Sequence, residues 1–311
     1  MSGNIVDFIK RDPMVVTDIE FGEDTVIKHI KTSLEKDVTI FYGDVGTGKS
    51  RLLFWILLLS ATDTLNEVDP CKTAQMLEEQ KVFFARCCLE NDSFKVTFTY
   101  DIKSEVMEEI FKESHSFKNN SFFTEASTIS NMKQNRPHCL FISPTNLYEL
   151  VADMVNKDFV IPHLNKCLDM VSGMYNSVFH GSGYTSRFSY QDGKSDIIYS
   201  RHYTDSSLKE DVSEIEAFKY LSRKELFVHL LLFAVVLYPL FSDSFSKHNT
   251  LVFIDDMDTT IGDELSHRVL DALVLSYPNN QYVITAFSKG FVDKRNPREI
   301  RDIAALNIIE K

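Results

Sequence analysis

Cysteine is sparse and irregularly spaced: Cys71, Cys87, Cys88, Cys139 and Cys167 form no C-x-x-C pair. That excludes a zinc ribbon and argues against a disulfide framework, leaving reduced, mostly buried thiols as the expectation. The opening residues, "MSGNIVDFIKRDP", lack the basic-then-apolar order of a secretory leader. No apolar run reaches the roughly 20 residues of a membrane span. The longest, "LFVHLLLFAVVLYPLF" at 226–241, carries His229 and Pro239 and reads as a buried helix. A cytoplasmic protein without membrane contact is therefore expected. Positive charge is also short, with 33 basic against 45 acidic residues and a net charge of −12. Such a chain cannot coat nucleic acid by charge alone, so any contact there would be weak and come from a local patch or a partner. One small patch is present: Lys289, Lys294, Arg295, Arg298 and Arg301. No apolar heptad continues for three or four repeats, which excludes a long coiled coil.

What is present begins at 41–50, "FYGDVGTGKS", where the apolar "VTIF" runs into a glycine-rich turn and then into "RLLFWILLL". A polyphosphate needs several backbone N–H groups converging on it, and only residues without bulky side chains let the chain curl that tightly. Gly43, Gly48, Lys49 and Ser50 complete the pattern G-x-x-x-x-G-K-[ST] in its strand–loop–helix setting. The loop from Gly43 through Asp44, Val45, Gly46, Thr47, Gly48 and Lys49 to Ser50 and Arg51 is thus a nucleotide-binding candidate. Lys49 would neutralise the β- and γ-phosphates of ATP and Ser50 would ligate Mg²⁺, with the helix N-terminus adding partial positive charge.

A metal half-site is needed as well. "LVFIDDMD" at 251–258 reads as a buried parallel strand with Asp255 and Asp256 at its carboxyl end. Asp255 would hold Mg²⁺ through water, and Asp256 would polarise the attacking water.

The intervening chain is long, 206 positions from Lys49 to Asp255. "FKVTFTYD" (94–101) alternates as a half-buried strand, and "HCLFISP" (138–144) reads as another. Apolar residues at Leu147, Leu150, Val151, Met154 and Val155, then at Leu164, Cys167, Leu168, Val171, Met174 and Tyr175, have the i, i+3, i+4 spacing of helices. Residues 102–137, rich in Ser, Lys, Glu and Asn, read as a mobile or peripheral arm. Asp192-Gly193 lies between alternating segments and predicts a hairpin. An acidic, helix-prone run follows, "SLKEDVSEIEAF", and then "YLSRKELFVHLLLFAVVL".

In that last stretch Leu221, Ser222 and Glu225 resemble a degenerate signature loop of the ABC-class ATPases, L-S-x-G-E/Q, with Lys224 where the family has glycine. The same residues also fit an N-cap, Ser222 capping and Glu225 closing a capping box. Further on, "QYVIT" (281–285) looks like the strand that in RecF- and OLD-like members ends in T-H-S. Here it continues as Thr285, Ala286, Phe287 and Ser288, without the histidine. A final strand is expected in "ALNIIEK", and with so short a tail after Phe287 the lid of an AAA+ protein is not expected.

The resemblance implies an α/β fold: a P-loop NTPase core with a mixed or parallel sheet and an inserted helical subdomain. On that reading residues 1–101 and 181–311 are the two halves of the core and 102–180 the insertion. It also implies an ATPase that closes as a homodimer, with Ser222 touching the γ-phosphate held by the opposite protomer, and that gates a separate effector protein in DNA repair or antiviral defence. Two other readings compete: a switch NTPase of the STAND or KAP type, and a scaffold that holds ATP as a latch.

Overall fold

The computed structural model describes residues 15–22, 29–60, 84–90, 94–103, 108–117, 120–125, 138–190, 197–205, 207, 211–241 and 250–306. In chain order the elements are β1 (Val15–Phe21), β2 (Ile30–Ser33), β3 (Val38–Tyr42), α1 (Lys49–Ser60), β4 (Phe84–Glu90), β5 (Phe94–Lys103), β6 (Glu108–Phe117), β7 (Asn120–Glu125) and β8 (His138–Ile142). Then come α2 (Leu147–Val155), α3 (Leu164–Val178), β9 (Tyr184–Tyr190), β10 (Ile197–Tyr203), β11 (Val212–Glu216), α4 (Ala217–Tyr220), α5 (Arg223–Leu237) and β12 (Thr250–Ile254). The last are α6 (Met257–Ile261), α7 (Asp263–Ser276), β13 (Gln281–Ala286), α8 (Lys289–Val292), β14 (Ile300–Asp302) and α9 (Ile303–Leu306). They fall into two compact units, one of Met1–Phe141, Ser246–Asp256 and Asn279–Lys311, the other of Ile142–Phe245 and Met257–Pro278.

The first unit holds a five-stranded sheet in the order β14-β3-β13-β12-β8 and a six-stranded sheet in the order β2-β1-β4-β5-β6-β7. β13 pairs in parallel with both β3 and β12, and β14 pairs in parallel with β3. Every residue of β12 and β13 is buried. That two-sided burial is why both strands read as continuous apolar runs and not as alternating ones. α1 is apolar around most of its circumference because Leu52, Leu53, Trp55 and Ile56 enter one core. Phe41, Phe253 and Val283 of one sheet and Val16, Ile19, Phe21 and Leu89 of the other join it there. The Gln281 side-chain amide binds both backbone groups of Val16, donating to O at 2.7 Å and accepting from N at 2.8 Å, so β1 is fixed to the start of β13.

The second unit packs α3 on β9 and against α5 and α7. Its core is aromatic: Tyr175, Phe188, Tyr199 and Phe233 are all fully buried, with His229 among them. Every residue of α5 from Phe227 to Leu237 is buried. Arg223–Phe241 has the length and hydropathy of a membrane span, but 67% of its most apolar 18-residue window is buried inside the protein. The helices expected from 147 and 164 are present as α2 and α3.

Three local expectations are corrected. Residues 108–117 and 120–125, read as part of an arm, are strands β6 and β7, paired antiparallel through Phe117 and Asn120. The run read as helix-prone contains β11, because Ile215 and Val212 pair with Tyr199 and Arg201 of β10, and only Ala217–Tyr220 turn helical. The last described strand is Ile300–Asp302, laid beside β3, and Ala305 and Leu306 of the predicted strand belong to a short helix. β9 and β10 pair antiparallel as the hairpin requires, while Asp192-Gly193 lies outside the described residues.

Candidate functional site

Parallel pairing puts three strand ends on one edge. In register, Ile40, Ile284 and Ile254 face one another across β3, β13 and β12. The residues that follow therefore emerge together: Gly43 after β3, Phe287 after β13 and Asp255 after β12. The carboxyl edge of an open α/β sheet is where such folds bind ligands.

The loop after β3 has the backbone that its glycines allow. Gly46 and Gly48 have φ of +79° and +87°, and a Cβ at Gly43 would stand 3.0 Å from Thr47 Oγ1. The Thr47 hydroxyl donates to Asp44 O at 2.8 Å, closing the turn. Asp44 and Val45 project into solvent, and Val45 is 81% exposed. Lys49 is folded into its own loop, donating to Gly43 O at 2.8 Å and Asp44 O at 2.9 Å, and is only 7% exposed. The Phe287 ring centroid lies 5.4 Å from its ammonium, a cation–π distance. Ser50 is exposed in the first turn of α1, with Arg51 beside it.

The paired acids are held by a residue that sequence reasoning did not assign. Thr285 Oγ1 donates to Asp255 Oδ1 at 2.5 Å and accepts from the Asp256 backbone N–H at 2.9 Å. Asp256 is the one non-glycine residue among those described with positive φ, +48°. Its side chain thus leaves a left-handed turn, a conformation costing roughly 1–2 kcal/mol for an L-residue. The available signal was a lone hydroxyl ending an apolar strand. Which strand stands next to the acids is not written in one sequence.

Ser222 lies in the second unit. It caps α5 with a complete capping box, its Oγ accepting from Glu225 N at 3.4 Å while its own N–H donates to Glu225 Oε2 at 3.0 Å. Glu225 Oε1 also accepts from Arg201 Nη2 at 2.6 Å and from the Tyr184 hydroxyl at 3.0 Å. Burial pushes the Glu225 carboxyl upward, but the Ser222 hydrogen bonds and the Arg201 charge outweigh it and hold the group below its usual value. The N-cap reading of this stretch is therefore realised. Lys224 lines an open cavity of about 680 Å³ with His180, Gly262, Asp263 and Arg268.

Two members of the basic patch are engaged in contacts within the fold. Arg295 pairs with Glu299 at 2.9 Å, and Arg301 reaches Ser33 O at 2.8 Å and Glu35 Oε1 at 3.4 Å. Both arginine side chains are close to 12% exposed. A nucleic-acid track built on all four of Lys294, Arg295, Arg298 and Arg301 loses two of its members to these contacts.

Sequence comparison finds no matching protein family and no matching curated protein. Structural comparison does find matches. An SMC head bound to the C-winged helix domain of ScpA superposes with a TM-score of 0.54 at 11% identity, over 89% of this chain and 91% of that one. The SMC head domain of Thermotoga maritima gives 0.48 at 10% identity, over 89% and 91%. ATP-bound RecF, the recombination mediator, gives 0.43 at 12% identity, over 89% and 93%. With its five-stranded sheet built on parallel pairs and its loop at the carboxyl edge, the chain has a mixed α/β fold similar to that of an SMC head.

Proposed function

We propose that this chain binds and hydrolyses ATP as a RecF/OLD-like ABC-class head, closing as a homodimer to gate a separate effector protein in DNA repair or antiviral defence. The observation that carries the catalytic part is the shared strand edge, where the Gly43–Ser50 loop, Asp255 and Asp256 emerge side by side. Lys49 exchanges its two carbonyl partners for phosphate oxygens, and the freed backbone of the loop wraps the polyphosphate. The carboxylate of Asp256 accepts a proton from the attacking water.

Ser50 and Asp255 are the residues that would hold Mg²⁺. Among the described residues no group of three His, Cys, Asp or Glu side chains could hold a metal by itself. That fits Mg²⁺, which keeps several waters and takes phosphate oxygens together with one or two carboxylates. When bound, it would neutralise charge on the β- and γ-phosphates.

Lys49→Ala is expected to weaken ATP binding at least about 100-fold while leaving the fold intact, as read by calorimetry and circular dichroism. Asp256→Asn should keep the affinity and lose turnover, because an amide cannot take the proton. Unchanged affinity in the first variant overturns the loop assignment, and unchanged hydrolysis in the second places the base elsewhere. A latch with little turnover is favoured by one feature: Phe287, an aromatic ring that is 39% exposed, stands in the segment where the resemblance leads one to expect a histidine. A parent chain that binds ATP without hydrolysing it would support that reading.

A further inference from the structure

Thr285 is completely buried at the end of β13, the strand between the phosphate-loop strand and the acidic strand. Its hydroxyl makes two hydrogen bonds with opposite roles to the two consecutive residues that follow the neighbouring strand β12. The amide of Asp256 occupies an acceptor position of Oγ1 at 2.9 Å, and the single proton goes to Asp255 Oδ1 at 2.5 Å. One oxygen therefore fixes both the rotation of the Asp255 carboxylate and the left-handed backbone of Asp256 at φ +48°. With Asp255 Oδ1 taking the Thr285 proton, Oδ2 would be the oxygen left for a metal-bound water.

We infer that Thr285 is the positioning residue of the active site: its hydroxyl aims Asp255 at the metal and holds Asp256 in the turn from which its carboxylate reaches the attacking water. This rests on the ATPase reading above. It adds to that reading that metal affinity and turnover depend on a side chain that touches neither nucleotide nor metal. The chemistry is that of an outer-shell partner. Ligand carboxylates are oriented by such hydrogen bonds, and removing one typically lowers metal affinity or activity about 10- to 100-fold.

The test compares Thr285→Val, which keeps the shape and removes the hydroxyl, with Thr285→Ser, which keeps the hydroxyl and removes the methyl. ATP affinity is measured in EDTA and across a Mg²⁺ titration, and hydrolysis is followed over the same titration. In Thr285→Val the metal-free affinity should stay within about twofold of the parent, while the Mg²⁺ needed for half-maximal effect rises and kcat falls, each at least about tenfold. Thr285→Ser should recover both to within about threefold, because the proton and the acceptor position are restored. A purely structural role would lower metal-free ATP binding and thermal stability together and leave the Mg²⁺ requirement unmoved. Parent-like Mg²⁺ dependence and turnover in Thr285→Val overturns the inference while the ATPase reading stands. So does a serine variant as impaired as the valine one. A parent chain that neither binds nor hydrolyses ATP overturns the ATPase reading and this inference with it.

Discussion

His229 has no hydrogen-bond partner at either ring nitrogen among the described residues, is fully buried, and stacks on Phe188 with centroids 3.9 Å apart. Desolvation pushes its pKa down to about 3. Above the ordinary value near 6.5 the ring is neutral in both folded and unfolded chains and has no linkage effect. Between about 6.5 and 3 only the unfolded chain takes the proton, so stability falls with pH by about 1.4 kcal/mol per unit from this group alone. Urea unfolding of the parent and of His229→Phe at pH 7 and pH 5 should show the parent losing about 2 kcal/mol more than the variant. Asp256, with its positive φ, is on the proposed reading a case of strain retained for chemistry. Asp256→Gly should raise unfolding free energy by up to about 1 kcal/mol by relieving the positive φ, and should abolish hydrolysis. A thermal melt and a phosphate-release assay on the same sample check both.

Among the elements, α3 does something unusual for a helix: it covers the edge of a sheet as a strand would. Asn176 accepts from Ser186 N at 2.7 Å and donates to Ser186 O at 2.8 Å, Ser172 Oγ accepts from Phe188 N at 2.9 Å, and Asn165 binds Tyr190 N and O at 2.7 and 3.1 Å. Side chains on one helix face thereby satisfy alternate residues of β9, an edge that would otherwise be open to pairing. Asn176→Ala, partly buried, should cost about 1–3 kcal/mol by leaving two backbone groups unsatisfied, and the exposed Asn165→Ala markedly less, both by urea denaturation. None of this was legible in the sequence. The apolar face of α3, Leu164 to Tyr175, announced a helix, but polar residues on its flank look the same whether they meet water or a strand. The candidate site was legible where the proposed chemistry would fix residue type: Gly43 to Ser50 with their glycines and lysine, and Asp255 and Asp256 after an apolar strand. β6 and β7 were hidden because Lys, Ser, Glu and Asn dominate them, and a strand's partners belong to the fold and not to its own composition. Thr285 was hidden for the same reason.

For the whole molecule, the proposed dimer makes a prediction that must be separated from the cap. Ser222→Ala should lower stability by about 1 kcal/mol whatever the assembly does, since the N-cap is lost. Ser222→Asp keeps a good cap, so its fold should hold, but it sets a carboxylate against the γ-phosphate expected from a partner protomer. Light scattering with ATP in an Asp256→Asn background should show a dimer, and adding Ser222→Asp should abolish it. A mass that ignores ATP and this substitution favours the latch or a switch. The discontinuity of the first unit also has a consequence for how the protein is made. β3 pairs with β13 from Val38–Tyr282 to Tyr42–Ala286, so 243 residues lie between Val38 and its partner. At about 5–20 residues per second that is on the order of 12–50 s of synthesis, during which the residues from 142 to 245 have all been delivered. The phosphate loop must wait on the ribosome with its strand unpaired on the β13 side. Pulse-labelled nascent chains stalled before residue 281 should fail to gain protease protection from ATP, and chains extended past residue 302 should gain it.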